Sequence, residues 1–84
     1  MALELNGEMT IVRANELKGI LVDYLPCTDS VELDLSNVAE MDTAGFQLII
    51  ALEKEAVKSG KAFKVIKASE TVKNIFELYN IAGY

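Results

Sequence analysis

The 84-residue sequence predicts one α/β domain over residues 1–84, with a single sheet and the element order β-β-α-β-α-β-α. Short segments of alternating apolar and polar residues predict strands, and segments with apolar residues three or four apart predict helices. Strands that alternate with helices are usually parallel, and right-handed crossovers place the helices on one face. Because the predicted strands alternate, we expect helices mainly on one face and solvent on the other.

The first predicted feature is a β-hairpin. Leu3-Glu4-Leu5 alternates, and Asn6-Gly7 is a strong hairpin signal because both residues tolerate positive φ. Residues 9–12 are then the returning strand, so the sheet is expected to start with a hairpin and continue with parallel strands.

The first predicted helix begins near Asn15, whose side chain could cap it, and stops at Pro26. Its apolar residues recur at helical spacing and form one stripe. They are Leu17, Ile20, Leu21, Tyr24 and Leu25.

The remaining elements follow the same logic. Residues 30–35 alternate and predict a strand, and the polar residues 36–42 predict a short loop. A second helix is expected over residues 44–59, ended by Gly60, and another strand over residues 62–66. A last helix begins at a capping serine and buries one stripe. The cap is Ser69, and the stripe is Val72, Ile75, Phe76 and Tyr79.

Composition argues against several classes of function. The chain has no histidine, and its single Cys27 cannot form an internal disulfide, so we expect no metal site and a reducing, cytoplasmic setting. The net charge of −5 disfavours nucleic acid as a partner. The start of the chain lacks a signal-peptide pattern, and its apolar runs are too short for membrane insertion. Without a Gly-rich phosphate loop, we expect no cofactor and no enzymatic activity.

The segment around residue 43 carries the clearest functional signal. It places a hydroxyl at the start of a helix directly after an acid, in Asp42-Thr43-Ala44-Gly45. Thr43 could cap the helix, and Asp42 lies near the positive end of its dipole. Gly45 could be a packing notch, or it could let a partner protein approach closely. Paired carboxylates at Asp34 and Asp42, acting in metal or acid–base chemistry, are a minor alternative.

These motifs resemble the STAS domain, the fold of bacterial anti-sigma factor antagonists and of sulfate-transporter C-terminal domains. The resemblance runs over residues 31–79. It rests on Asp34-Leu35-Ser36, Asp42-Thr43-Ala44-Gly45, Lys58-Ser59-Gly60-Lys61, the strand 62–66 and the helix with Val72 and Phe76-Glu77-Leu78-Tyr79. The ending Leu78-Tyr79-Asn80-Ile81 is similar to that of the lipid-asymmetry transporter subgroup. A STAS-type single sheet is the fold that this resemblance implies.

The resemblance implies a protein-interaction switch. Thr43 takes the phosphoacceptor position, and the partner would be an anti-sigma factor that is itself a serine/threonine kinase and holds the ATP. Many members carry a second hydroxyl after the acceptor, whereas Ala44 follows here. Asp-Thr-small-Gly also resembles the cytoplasmic STAS subunit of the lipid-asymmetry ABC transporter, which packs on the ATPase. A chemotaxis-associated STAS regulator is a further alternative.

The predicted partner-binding residues lie at the start of the second helix. They are Asp42, Thr43, Ala44, Gly45, Phe46 and Ile50, with Asp34 and Ser36 as structural support for the site. Phe46, Ile50 and Val57 lie off the core stripe and could form an exposed patch, unless the third helix covers them. The sequence leaves open whether the domain forms a weak homodimer.

Overall fold

The computed structural model describes residues 2–79, which form one three-stranded sheet and three α-helices. The elements are β1 (Leu3–Met9), a 3-10 turn (Ile11–Arg13), α1 (Ala14–Tyr24), a second 3-10 turn (Leu25–Cys27), β2 (Ser30–Met41), α2 (Thr43–Lys58), β3 (Ala62–Ala68) and α3 (Glu70–Leu78). The strands lie in the order β1-β2-β3, and both pairs are parallel. The predicted α/β class and single sheet are therefore confirmed.

One face of the sheet is covered and the other is open, as the alternation predicts. On β2, the residues Val31, Leu33 and Leu35 are fully buried, whereas Glu32 and Asp34 between them are partly exposed. The buried residues join one cluster with apolar side chains of all three helices. Parallel sheets are usually covered on both faces. Here the open face carries charged side chains, such as those of Glu32 and Asp34, which are readily solvated.

The predicted N-terminal hairpin is wrong, because β1 is a single strand that runs parallel to β2. Gly7 does adopt a positive φ of 79°, as its sequence context suggested. It lies next to a register shift between β1 and β2. The positive φ of Gly7 therefore belongs to an irregularity within the strand and not to a hairpin turn. Residues 11–13 form a 3-10 turn, and the Nη1 of Arg13 donates to the carbonyl oxygens of Asn6 and Glu8, 2.9 Å each.

The predicted loop over residues 36–42 is also wrong, because β2 continues to Met41. Val38 and Met41 turn into the core, and β1 supplies a hydrogen-bonding partner along this half of the strand. Two register shifts between β1 and β2 interrupt the alternation. Because of these shifts, apolar and polar residues do not alternate strictly in this part of β2, and the sequence pattern does not indicate a strand there.

Helix α3 lies along the part of β2 that β3 does not reach. β3 pairs with β2 only from Ser30 to Leu35. Beyond that point the Ser69 hydroxyl donates to Val38 O (2.7 Å), and the Thr71 hydroxyl donates to Ala39 O (3.2 Å). These side chains satisfy carbonyl groups of β2 beyond the end of its pairing with β3. The helix is thereby directed toward the start of α2.

The helix ends agree with the sequence at two places and differ at one. Ser69 caps α3 by accepting from Val72 N, and Gly60, with φ of 75°, follows the end of α2. Asn15, however, does not cap α1. That helix continues directly from the 3-10 turn at Arg13, so Asn15 lies inside its first turn. Pro26 follows the end of α1, in the second 3-10 turn.

Candidate functional site

Thr43 is the first residue of α2 and follows the carboxyl end of β2, where its side chain is exposed. The expected exposure of this threonine at a helix start is therefore confirmed. The expectation that it caps the helix is wrong. Asp42 has extended backbone angles, and its Oδ1 accepts from Gly45 N at 3.0 Å, so Asp42 is the cap.

Asp42 also ties α2 to the segment after β1. Its Oδ2 accepts from the backbone N–H of Ile11 at 3.0 Å, and its own N–H donates to Met9 O at 3.2 Å. The hydrogen bonds from Ile11 and then Gly45 stabilise the charged form, so they lower the pKa of the Asp42 carboxyl. Asp42 thus holds two elements together from within the domain.

Acid should weaken this connection. Because the pKa of Asp42 is lower in the folded state, its contribution to stability is present above the unfolded pKa of about 4 and is lost as the pH falls through the folded value. We expect Asp42→Asn, which keeps a capping oxygen, to reduce the loss of stability between neutral pH and pH 3. Urea unfolding at a series of pH values measures it. An unchanged pH dependence in the variant would contradict this role.

Gly45 is a packing notch, the first of the two roles that the sequence left open for it. The residue is buried against the backbone of β1. A Cβ at this position would overlap the carbonyl oxygen of Met9 and would lie 2.8 Å from the carbonyl carbon. The close approach that glycine permits is therefore made by the domain's own first strand.

The predicted exposed patch on α2 does not exist as such. Phe46 is only 4% exposed, and its ring contacts Phe76 edge-on with the centroids 5.8 Å apart. Ile50 is partly buried against the core, whereas Val57 is 68% exposed and stands apart from both. Helix α3 covers Phe46. This is the alternative to an exposed patch that the sequence left open.

Tyr79 is a residue of the site that sequence reasoning missed. Its hydroxyl lies 2.9 Å from Thr43 Oγ1, and its ring stacks on Phe46 with centroids 4.5 Å apart and planes 12° from parallel. The stripe on α3 predicted that Tyr79 is buried, but it is 41% exposed. A tyrosine on an apolar stripe usually has a hydrogen-bond partner for its hydroxyl. This tendency is the one sequence feature that could have indicated a polar contact of Tyr79.

Two exposed apolar residues, Ile11 and Val12, lie in the turn that contacts α2. Together with Thr43, the half-buried Ala44 and Tyr79 they form what we call the Thr43 surface. The Asp42 carboxylate holds the backbone of Ile11 beside the start of α2, and Ile11 and Val12 are 69% and 82% exposed. Neighbouring exposed apolar side chains of this kind are typical of contact surfaces.

Acidic residues lie at the carboxyl ends of β1 and β2, the strands that lead to the Thr43 surface. Glu8 and Glu40 are register partners at the carboxyl ends of β1 and β2, directly before Met9 and Met41. Asp42 follows on the same edge of the sheet. Like charges on paired positions disfavour one another, so this edge favours a positively charged neighbour.

The structure places Asp34 and Ser36 earlier on β2 than Thr43, and their support of the site stays a prediction. Asp34 Oδ1 accepts from the hydroxyl of Ser36 at 2.6 Å and from its backbone N–H at 3.0 Å. The hydroxyl hydrogen bond is the main reason that the pKa of Asp34 is lowered. Because β2 continues to Met41, the pair is separated from Thr43 by roughly 20 Å of strand.

Two kinds of feature are absent from residues 2–79. Within this range, no group of three or more His, Cys, Asp or Glu side chains is arranged to hold a metal ion. None of the described helices has the length and apolar character needed to cross a membrane. Asn80 and Ile81, quoted above for the chain ending, lie outside the described residues.

Comparisons with known proteins agree with the fold of the chain. The family model described as "Mlab, STAS domain" matches residues 1–83. Among solved structures, the chain is similar to the anti-sigma factor antagonist SpoIIAA in its unphosphorylated form. The TM-score is 0.77 at 15% sequence identity, over 95% of this chain and 71% of that one. At this identity the likeness to SpoIIAA concerns the fold.

Proposed function

The chain belongs to the STAS domain family, and from that premise we propose that it is a protein-interaction switch of the anti-sigma factor antagonist type. In this proposal the Thr43 surface binds a serine/threonine kinase that is also an anti-sigma factor. Phosphorylation of Thr43 ends the complex. The observation that carries the proposal is the exposed Thr43 hydroxyl at the start of α2, bordered by exposed apolar residues.

The charges around Thr43 explain why a phosphate would act on binding. A phosphate adds a charge of about −1.5 to −2 at neutral pH. The Asp42 carboxylate already accepts from the N–H of Gly45 at the start of α2, so the new anion meets a like charge there. Repulsion directs the phosphate outward into the Thr43 surface. The fold is retained, while the contact surface gains bulk and negative charge.

The same surface indicates the chemistry of the partner. Ile11 and Val12 call for an apolar complement, and the acidic edge formed by Glu8 and Glu40 favours basic groups beside it. A phosphate on Thr43 would disrupt the apolar part of such a contact through its bulk and hydration.

The decisive experiment is phosphorylation in solution. The purified domain is incubated with its candidate kinase and ATP, and intact mass is measured with mapping of the modified residue. We expect one phosphate on Thr43, none on Thr43→Ala, and one on the matched control Thr43→Ser. A wild-type domain that stays unmodified while an established substrate of the same kinase is phosphorylated would refute the switch.

A charged substitution should separate binding from folding. We expect Thr43→Glu to keep the wild-type circular dichroism spectrum, because residue 43 is exposed, and to lose at least tenfold in affinity for the kinase in a pull-down titration. Thr43→Ser keeps the hydroxyl and should bind as the wild type does. Full affinity in Thr43→Glu would contradict the proposed binding surface.

A constitutive subunit bound to a transporter ATPase is the second candidate. It is favoured by Ala44, which supplies no second hydroxyl after the acceptor position, and by the likeness of Asp42-Thr43-Ala44-Gly45 to the transporter subgroup. This candidate predicts stable co-purification with an ATPase and no phosphate on Thr43. The mass measurement above therefore separates the two.

A further inference from the structure

We propose that Tyr79 senses the chemical state of Thr43 and transmits it to the last turn of α3 and to the ring of Phe46. The trigger, phosphorylation, rests on the proposed function. The coupling itself rests on contacts within the described fold.

Tyr79 is held at three points. Its hydroxyl pairs with Thr43 Oγ1 at 2.9 Å, its ring stacks on Phe46, and its backbone N–H donates to Ile75 O at 3.1 Å. The first contact joins α3 to the start of α2 across 36 residues of chain. The second explains why Phe46 is almost fully buried although it lies beside an exposed helix start. Tyr79 thus acts as a cover over Phe46 whose outer end is fixed by Thr43.

Modification of Thr43 changes that fixed point. Transfer of the γ-phosphoryl group of ATP forms a bond from Oγ1 to phosphorus, and it releases ADP and the hydroxyl proton. The ester oxygen can no longer donate, so the Tyr79 hydroxyl must be the donor, and its strongest acceptors become the phosphate oxygens, which lie farther out than Oγ1. Tyr79 must shift, and because its ring covers Phe46, the shift exposes part of that apolar ring. A change at one hydroxyl then alters both the last turn of α3 and the Thr43 surface.

Hydrogen–deuterium exchange with mass spectrometry tests the coupling without any kinase. Four proteins are compared: the wild type, Thr43→Val, Thr43→Glu and Tyr79→Phe. We expect amides in the last turn of α3 to exchange about fivefold faster in each variant, as the loss of one hydrogen bond implies. The double variant Thr43→Val/Tyr79→Phe should exchange no faster than either of its single variants, because both remove the same contact.

Two controls make the result specific. Thr28→Val removes a threonine hydroxyl that donates to Ser30 O, away from α3, and it should leave the last turn of α3 unchanged. Thr43→Ser keeps the hydroxyl and should keep slow exchange in the last turn of α3. If Thr43→Val folds poorly, the comparison of exchange rates between Thr43→Ser and Tyr79→Phe tests the coupling instead. Wild-type exchange in Tyr79→Phe would overturn the coupling, whatever the kinase does. An unmodified Thr43 would instead overturn the proposed function while the exchange result stands.

Discussion

Replacing Gly45 by alanine is expected to destabilise the domain by about 3 kcal/mol or more. The added Cβ would overlap the carbonyl oxygen of Met9, which is backbone held within the sheet. Either α2 or β1 must move, and both carry core residues. A domain of this size has a total stability of roughly 4–13 kcal/mol, so much of it would be lost. Urea unfolding followed by circular dichroism measures the change.

Gly19 provides the matched control. It lies on the exposed side of α1, and a Cβ there has no neighbour within 4 Å. We expect Gly19→Ala to raise stability by about 0.5–1 kcal/mol, because alanine restricts the unfolded chain and favours the helix. If Gly45→Ala were tolerated as well as Gly19→Ala, the packing of α2 on β1 described above would be wrong.

Truncation of Phe46 to alanine is expected to cost about 3–5 kcal/mol of stability, as for a buried aromatic residue. The ring fills the space between α2 and α3 and contacts both Phe76 and Tyr79. Its removal leaves a cavity and also removes the platform on which Tyr79 stacks. Thermal and urea unfolding of the variant test this expectation.

Val57→Ala is the comparison on the same helix. Val57 is 68% exposed, so its truncation should change stability by no more than about 0.5 kcal/mol. A Phe46→Ala variant as stable as Val57→Ala, and weakened only in partner binding, would restore the interpretation of Phe46 as an exposed contact residue.

The sequence predicted those parts of the fold that depend on local periodicity. The three helices, the alternation of strands and helices and the exposed Thr43 follow from apolar spacing and capping chemistry. The hairpin prediction was wrong because Asn6-Gly7 indicates a residue with positive φ but does not indicate whether that residue lies in a turn or within a strand. The extent of β2 was missed because its register shifts break the alternation over residues 36–41.

The composition of the site depended on contacts between residues distant in sequence. Tyr79 meets Thr43 only because α3 is directed along β2 by the hydroxyls of Ser69 and Thr71. Asp42 and Gly45 were singled out correctly as unusual, but the neighbours that they serve, Ile11 and Met9, precede them by more than 30 residues. No local pattern indicates such pairings.

The position of Arg13 bears on how the outer edge of β1 meets other chains. β1 is an outer strand of the sheet, and unpaired carbonyls on such a strand are templates for self-association. The guanidinium occupies the oxygens of Asn6 and Glu8, and a cation there is also a poor neighbour for an incoming strand. We infer that Arg13 disfavours aggregation through the exposed edge of β1, and that it also links β1 to the start of α1.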